Sequence, residues 1–185
     1  LFDAMTQLDL TGPYEVFARM PETRVILIAA TRSPVRTEWG LTITPDFTFA
    51  DSPEFDVLCV PGGWGVNSAL EDTALLAFLR LRATHARFVT SVCSGALLLG
   101  AAGLLRGYRA TTHWQSLELL PMFGAEPVTQ RVVRDRNSIR GAGVTSASDF
   151  ALGVAAELFG DDVAKQRQAA VEYAREHPFP AVATT

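Results

Sequence analysis

Three short apolar runs punctuate the chain: VILIAA (25–30), DVLCV (56–60) and RFVTSV (87–92). Each is continuous rather than alternating in polarity, which predicts strands buried on both faces, as in a parallel sheet. Between the second and third runs, EDTALLAFLRLRAT (71–84) places Leu75, Phe78, Leu79 and Arg82 at helical spacing, with an apolar side toward a sheet. After the third, SGALLLGAAGLL (94–105) is apolar almost all round, so it predicts a central buried helix, with Gly107 as its C-terminal cap. RVVRDRNSIRGAG (131–143) reads as a hairpin turning at Arg136-Asn137, and TSASDFALGVAAELFG (145–160) as a helix ending in Gly160. VAKQRQAAVEYAREH (163–177) is a last helix, broken by Pro178 and Pro180. Strands alternating with helices predict a doubly wound α/β sandwich with a mostly parallel sheet. No repeat, low-complexity stretch or linker interrupts residues 1–185, so one domain is expected. The opening is short for a first strand and lacks a methionine, and the natural protein is expected to start some residues earlier.

Composition narrows the function classes. With 48% hydrophobic and 19% charged residues, the 185-residue chain has enough apolar material for a sizeable core. A net charge of -4, with arginines such as Arg80, Arg82, Arg131, Arg134 and Arg136 interleaved with acids, argues against a nucleic-acid surface. No apolar run approaches the roughly 20 residues that span a bilayer, and no basic segment precedes an apolar one at the start. A cytoplasmic location is therefore expected. Cys59 and Cys93 both end strand-like runs in such a domain, so reduced thiols are expected over a disulfide.

Two strand ends carry candidate chemistry, because ligands of open parallel sheets sit at the carboxyl ends of the strands. VPGGWG (60–65) follows the second strand, and Gly62 and Gly63 let its backbone turn tightly and bring N–H groups close to a bound atom. A plain strand-to-helix turn explains the same residues. VCSG (92–95) follows the third strand, and strand–Cys–Ser–Gly–helix is the cysteine form of a nucleophile elbow, with Gly95 leaving room for the turn. A thiol facing the positive end of a helix favours the thiolate, and the N–H groups of Cys93 and Ser94 can steady negative charge. Spacing alone leaves a reactive and a core Cys93 both open; Cys59, inside its strand, reads as core. Asp9, read by itself, is a helix-capping aspartate, and Asp149 is likewise a cap. The histidines at 85, 113 and 177 show no metal-ligand spacing, and neither a phosphate loop nor a dinucleotide fingerprint is present.

TSVCSGALLLGAAGLLRGYRATTHW (90–114), LDLTGPYEVF (8–17), VPGGWG and Gly-Ala-Gly (141–143) together resemble the ThiJ/PfpI superfamily, of class I glutamine-amidotransferase-like, flavodoxin-like fold. The resemblance covers essentially the whole chain. Within the superfamily, the Leu-Asp-Leu-Thr-Gly-Pro opening and the tail VEYAREHPF look most like isocyanide hydratases. That resemblance implies a cofactor-free, metal-free enzyme acting on a small molecule, with Cys93 as nucleophile. It implies an acid/base carboxyl at Asp9, in a loop before a helix starting near Thr11-Gly12-Pro13. It also implies a homodimer; Gly62, Gly63 and Ser94 are the candidates for positioning substrate or stabilising charge, with Ser94 bonding the thiolate or Asp9 or simply capping the helix. Some relatives carry a histidine directly after the cysteine; Ser94 stands there in this chain, which argues against a Cys-His peptidase. His113 matches a histidine near the active site of several relatives, as an accessory or as a structural residue. AraC-type regulators carry a similar domain, so a ligand- or redox-sensing domain without turnover is the alternative, with a glyoxalase-like or stress-response protein the third.

Overall fold

The computed structural model describes residues 1–173, so the end of the last predicted helix and its proline break lie outside the described residues. In chain order the elements are α1 (Gln7–Phe17), β1 (Ile28–Ala29), β2 (Val35–Arg36), β3 (Thr42–Ile43), β4 (Phe47–Thr48), β5 (Val57–Val60), α2 (Val66–Ala69), α3 (Thr73–Ala83), β6 (Phe88–Val92), α4 (Gly95–Ala101), β7 (Arg109–Ala110), a 3₁₀ helix (Trp114–Phe123), β8 (Glu126–Pro127), β9 (Val132–Asp135), β10 (Ser138–Gly141), α5 (Ser146–Phe159) and α6 (Asp161–Ala170).

The central sheet runs β5-β6-β10-β9. The first three strands are parallel and β9 is an antiparallel edge, joined to β10 by the expected turn, where Arg136 takes φ 54°. Every residue of β6 is buried, as its unbroken apolar run requires. On one face, Leu58, Val60 and Val89 pack against α3 and α4 through Leu75, Phe78, Leu79, Leu98 and Leu99. On the other, Phe88, Val92 and Ile139 pack against α1 and α5 through Val16, Phe150, Ala151 and Val154. Helices on both faces of a mostly parallel sheet make the doubly wound α/β sandwich expected from the sequence.

Local chemistry explains most boundaries. The Asp72 carboxylate accepts from the Ala74 and Leu75 N–H groups at 2.9 and 3.0 Å and starts α3. α4 is shorter than its apolar run: it stops at Ala101, and Gly103, at φ 79°, turns the chain before Gly107 is reached. The first predicted strand also shrinks, from 25–30 to the two residues of β1, which pair with β4. Leu27 still bonds to the β4 segment, its carbonyl accepting from the Asp46 and Phe47 N–H groups at 2.7 and 3.1 Å, and Val25 and Ile26 line a trough of 630 Å³ beside β5. The hairpin of β2 and β3 has no counterpart in the predicted elements, because its strands are two residues each.

α4 is the helix most enclosed by the fold, with Leu98 and Leu99 fully buried. Leu98→Ala is expected to destabilise the protein by about 2–5 kcal/mol through the cavity it leaves. Asp72→Ala, which removes a surface cap, is expected to lose about 1 kcal/mol. Chemical denaturation of the two variants beside the wild type measures both.

Candidate active site

Cys93 lies between β6 and α4 with φ 55°, a strained conformation for a residue with a side chain. Three contacts hold it there. Its N–H donates to the Gly141 carbonyl at 3.0 Å, and its own carbonyl accepts from Thr112 Oγ1 at 2.8 Å. From below, Gly95 lets the elbow approach β5: a Cβ there would lie 2.3 Å from the Val60 oxygen. The elbow predicted from VCSG is therefore present, although the Cys93 N–H is already committed and is not available to stabilise charge. The Ser94 N–H and hydroxyl, in contrast, both act on the Cys93 thiol.

Asp9 is fully buried on the first turn of α1, which begins at Gln7; it is not in a loop before the helix. Nor does it cap its own helix. Its Oδ2 accepts from the Gly62 N–H at 2.9 Å, and the Cys93 thiol also acts on its carboxyl as a hydrogen-bond donor. Oδ1 is buried without a well-formed hydrogen bond among the described residues. The sequence-predicted pair thus meets across the glycine loop, and Gly62 has to be a glycine: a Cβ would sit 2.5 Å from Ser94 N and 2.9 Å from Cys93 Cβ. Gly63 donates its N–H to Ser94 Oγ at 3.0 Å. The Gly62 and Gly63 amides therefore hold Asp9 and Ser94 rather than standing free as an oxyanion hole.

Electrostatics corrects the expectation of a standing thiolate. Burial first, then the Asp9 carboxylate, pushes the Cys93 thiol up to about 12, and the Ser94 contacts offset only part of that. Burial also raises Asp9 to about 7; the Gly62 N–H and the thiol lower it, and the nearby Glu38 charge raises it further. Two acids in one desolvated place titrate as a unit, and a charge on either opposes a charge on the other. The pair holds two protons in acid and a single shared proton above neutrality.

Cys59 is likewise a free thiol, pushed up to about 12 by burial, in the wall of the trough. Asp9 reaches the same trough, but Cys93 is not part of its lining. His113 makes no hydrogen bond to Cys93 or Asp9 among the described residues; its ring tilts against Trp114 at 5.7 Å, and partial burial lowers its pKa. In ATTHW it is Thr112, not His113, that touches the elbow. Asp149 is not a cap either: its Oδ2 accepts from Arg131 Nε at 2.5 Å and from the Tyr173 hydroxyl at 2.9 Å, tying α5 to the entry of β9. Sequence reasoning missed Thr112, because within ATTHW the histidine drew the chemistry, and Glu38, because it stands in no motif and reaches the site from a distant hairpin. Among the described residues, no group of three or more His, Cys, Asp or Glu side chains is placed to hold a metal ion. No helix there is long and apolar enough to cross a membrane.

Residues 1–157 match the DJ-1/PfpI family, and this match includes the elbow, the glycine loop and α1. The chain belongs to the DJ-1/PfpI family. Isonitrile hydratase of Pseudomonas putida is 52% identical over 179 residues, which are 97% of this chain and 78% of that protein. The crystal structure of a ThiJ/PfpI family protein from Pseudomonas syringae superposes with a TM-score of 0.96 at 44% identity, covering 99% of this chain and 76% of that one. The transcriptional regulator GbdR of Pseudomonas aeruginosa is 31% identical over 134 residues, 71% of this chain but 35% of the regulator. The fold and the family expected from the sequence are borne out.

A pair that shares one proton has a signature in its titration. Alkylation of this DJ-1/PfpI protein with iodoacetamide, followed by peptide mass mapping, is expected to show the Cys93 rate rising as pH passes through about 7, where the pair loses its first proton. Cys59, whose own ionisation lies near 12, is expected to show no such inflection.

Proposed function

We propose that the protein is an isocyanide hydratase, a cofactor-free enzyme that adds water to an isocyanide to give an N-substituted formamide. The observation that carries this reading is the buried Cys93–Asp9 pair on the elbow of a chain 52% identical to an isonitrile hydratase along nearly its whole length. The regulator match is weaker and covers about a third of that protein.

The chemistry follows from the shared proton. With Asp9 ionised and Cys93 protonated, the carboxylate takes the thiol proton as the sulfur attacks the terminal isocyanide carbon. A C–S bond forms, and the proton now on Asp9 passes to that same carbon, giving an enzyme-bound thioimidate, R–N=CH–S–Cys93. The regenerated carboxylate then removes a proton from water as the water oxygen adds to the carbon, and Asp9 passes that proton to the nitrogen, giving R–NH–CH(OH)–S–Cys93. Cleavage of the C–S bond releases R–NH–CHO and returns the proton to the pair. An acid near neutrality suits both halves of this cycle, because it gives and accepts a proton at little cost.

Within this reading Gly62 and Gly63 act by holding Asp9 and Ser94, and the Ser94 N–H steadies the sulfur as it gains charge and later departs. His113 is assigned no proton-transfer step. Two reduced cysteines agree with a cytoplasmic enzyme, and the 185 residues act as one domain.

Assays with a panel of aliphatic and aromatic isocyanides, following formamide by mass spectrometry, test the reading. Wild type is expected to turn over and Cys93→Ser to be inactive. Asp9→Asn, which keeps the contact with Gly62 but loses the transferable proton, is expected to fall by roughly 100-fold or more. Wild type that produces no formamide from any member of the panel overturns the function, and full activity in Asp9→Asn overturns the acid/base role.

The quaternary state belongs to the same proposal. Leu8, Trp39, Leu41 and Trp64 expose between 40% and 71% of their surface around the hairpin, the start of α1 and the glycine loop. Trp39 and Trp64 pack on each other at 5.1 Å, and a second copy of the chain is the occupant that fits exposed apolar side chains of this kind. Light scattering at micromolar concentration is expected to give twice the chain mass of 20.0 kDa, and a mass of 20.0 kDa alone refutes the dimer.

A further inference from the structure

The residue that begins α1 does not cap it. Thr6 occupies the N-cap position, but its side chain makes no hydrogen bond to the first turn. The Thr6 hydroxyl instead donates to Glu38 Oε1 at 2.9 Å, 32 residues further along the chain. A cap hydroxyl normally satisfies a free N–H of its own helix, so its diversion to another segment marks a contact with a different purpose. Glu38 sits in the hairpin joining β2 and β3, and its second oxygen, Oε2, accepts from the Trp64 N–H at 3.4 Å. One carboxylate therefore bridges the start of α1 and the glycine loop.

Those two pieces of backbone are the ones that present Asp9. α1 carries Asp9 three residues beyond Thr6, and the glycine loop supplies the Gly62 N–H to its Oδ2 two residues before Trp64. Further contacts keep the hairpin in place. The Glu38 N–H donates to the Met5 carbonyl at 3.0 Å, the Ala4 N–H donates to the Arg36 carbonyl at 2.8 Å, and Trp39 packs edge to face on Trp64 at 5.1 Å. Glu38 also contributes its charge, since Asp9 feels it directly.

We propose that Glu38 is a positioning residue for the Cys93–Asp9 pair: its carboxylate clamps the start of α1 to the glycine loop, and its negative charge keeps the shared proton on the pair. The inference rests on reading Cys93 and Asp9 as the reacting pair. The groups that face Asp9 are few. The elbow presents Cys93, β5 presents Cys59 and the hairpin presents Glu38, while α5 meets α1 at Gly12 through the uncharged Ala147 and Ser148. The remaining charged groups close to the clamp, Asp3 and Arg36, are occupied with the hairpin backbone: Asp3 Oδ1 accepts from the Arg36 N–H, and the Arg36 guanidinium lies over Gly40. Glu38 is thus the negative charge that tunes the pair from outside it.

Two variants separate the clamp from the charge, read by isocyanide turnover and by Cys93 alkylation across pH. Glu38→Gln keeps the size of the side chain, removes the charge and, with an NH2 in place of one acceptor oxygen, also loses one arm of the clamp. Its inflection in both profiles is expected to move to lower pH by about half a unit, the effect of deleting one partly screened like charge. The pH-independent maximum of kcat is expected to fall by about tenfold through misplacement of Asp9, with KM little changed. Thr6→Val breaks the clamp and keeps the charge, at no loss of helix capping. It is expected to lower kcat by a similar factor and to leave the inflection where it is in wild type. An unmoved inflection in Glu38→Gln, or wild-type kcat in Thr6→Val, overturns the proposal. The alkylation profile keeps the test independent of the substrate: if wild type hydrates no isocyanide the function falls, while the Cys93 inflection still reports whether Glu38 acts on the pair.

Discussion

The hydrogen bond from the Gly62 N–H to Asp9 Oδ2 is the contact on which the site depends, and it is flanked by the backbone bond from the Thr6 N–H to the Gly62 carbonyl at 2.8 Å. The Gly62–Asp9 bond crosses 53 positions in sequence and is fully buried, so neither partner has water as an alternative. Around it the fold brings four segments together: the first turn of α1, the glycine loop after β5, the elbow after β6, and the end of β10, whose Gly141 carbonyl fixes the Cys93 N–H. The close approach of loop to elbow leaves no space for a side chain at Gly62. Backbone proximity, not any one reactive group, makes the site possible.

Desolvation then sets the chemistry. An aspartate in water would be ionised and a cysteine mostly protonated, and neither would have reason to exchange a proton with the other. Burial raises both and brings the first ionisation of the pair to about 7. A negative charge on one member opposes a charge on the other, so the state with one shared proton spans a wide range above neutrality. In the hydration proposed above, that state would supply a nucleophile and an acid at once. The charge of Glu38, on the hairpin, raises Asp9 in the same direction as burial does.

The elbow and the glycine loop also show why a motif can be right about place and wrong about role. VPGGWG does bring backbone N–H groups into the site, but they are aimed at Asp9 and Ser94. VCSG does present a thiol at a helix start, but α4 is short, the Cys93 N–H is taken by Gly141, and the buried carboxyl next to the thiol outweighs the helix end. ATTHW does lie at the site, yet the contact is made by Thr112. In each case the residue types indicate a location, and the partners of the individual atoms decide the function.

What the sequence determined by itself was whatever depends on local chemistry and on period. Continuous apolar runs marked the central strands, helical spacing marked α3, the Asn-containing turn marked the β9–β10 hairpin, and the strand–Cys–Ser–Gly pattern marked the elbow. Each of these follows from interactions within a few residues or from burial on both faces of a sheet, so no knowledge of distant segments was needed. What only the tertiary structure decided was everything that needs a partner far away in sequence. Asp9 and Asp149 read as helix caps, but the carboxylate of Asp9 accepts from the Gly62 N–H and that of Asp149 from Arg131. A hydrogen bond or a desolvated charge is a property of two groups and of the medium between them. The identity of the second group, and how little water separates it from the first, is settled only when the chain has folded.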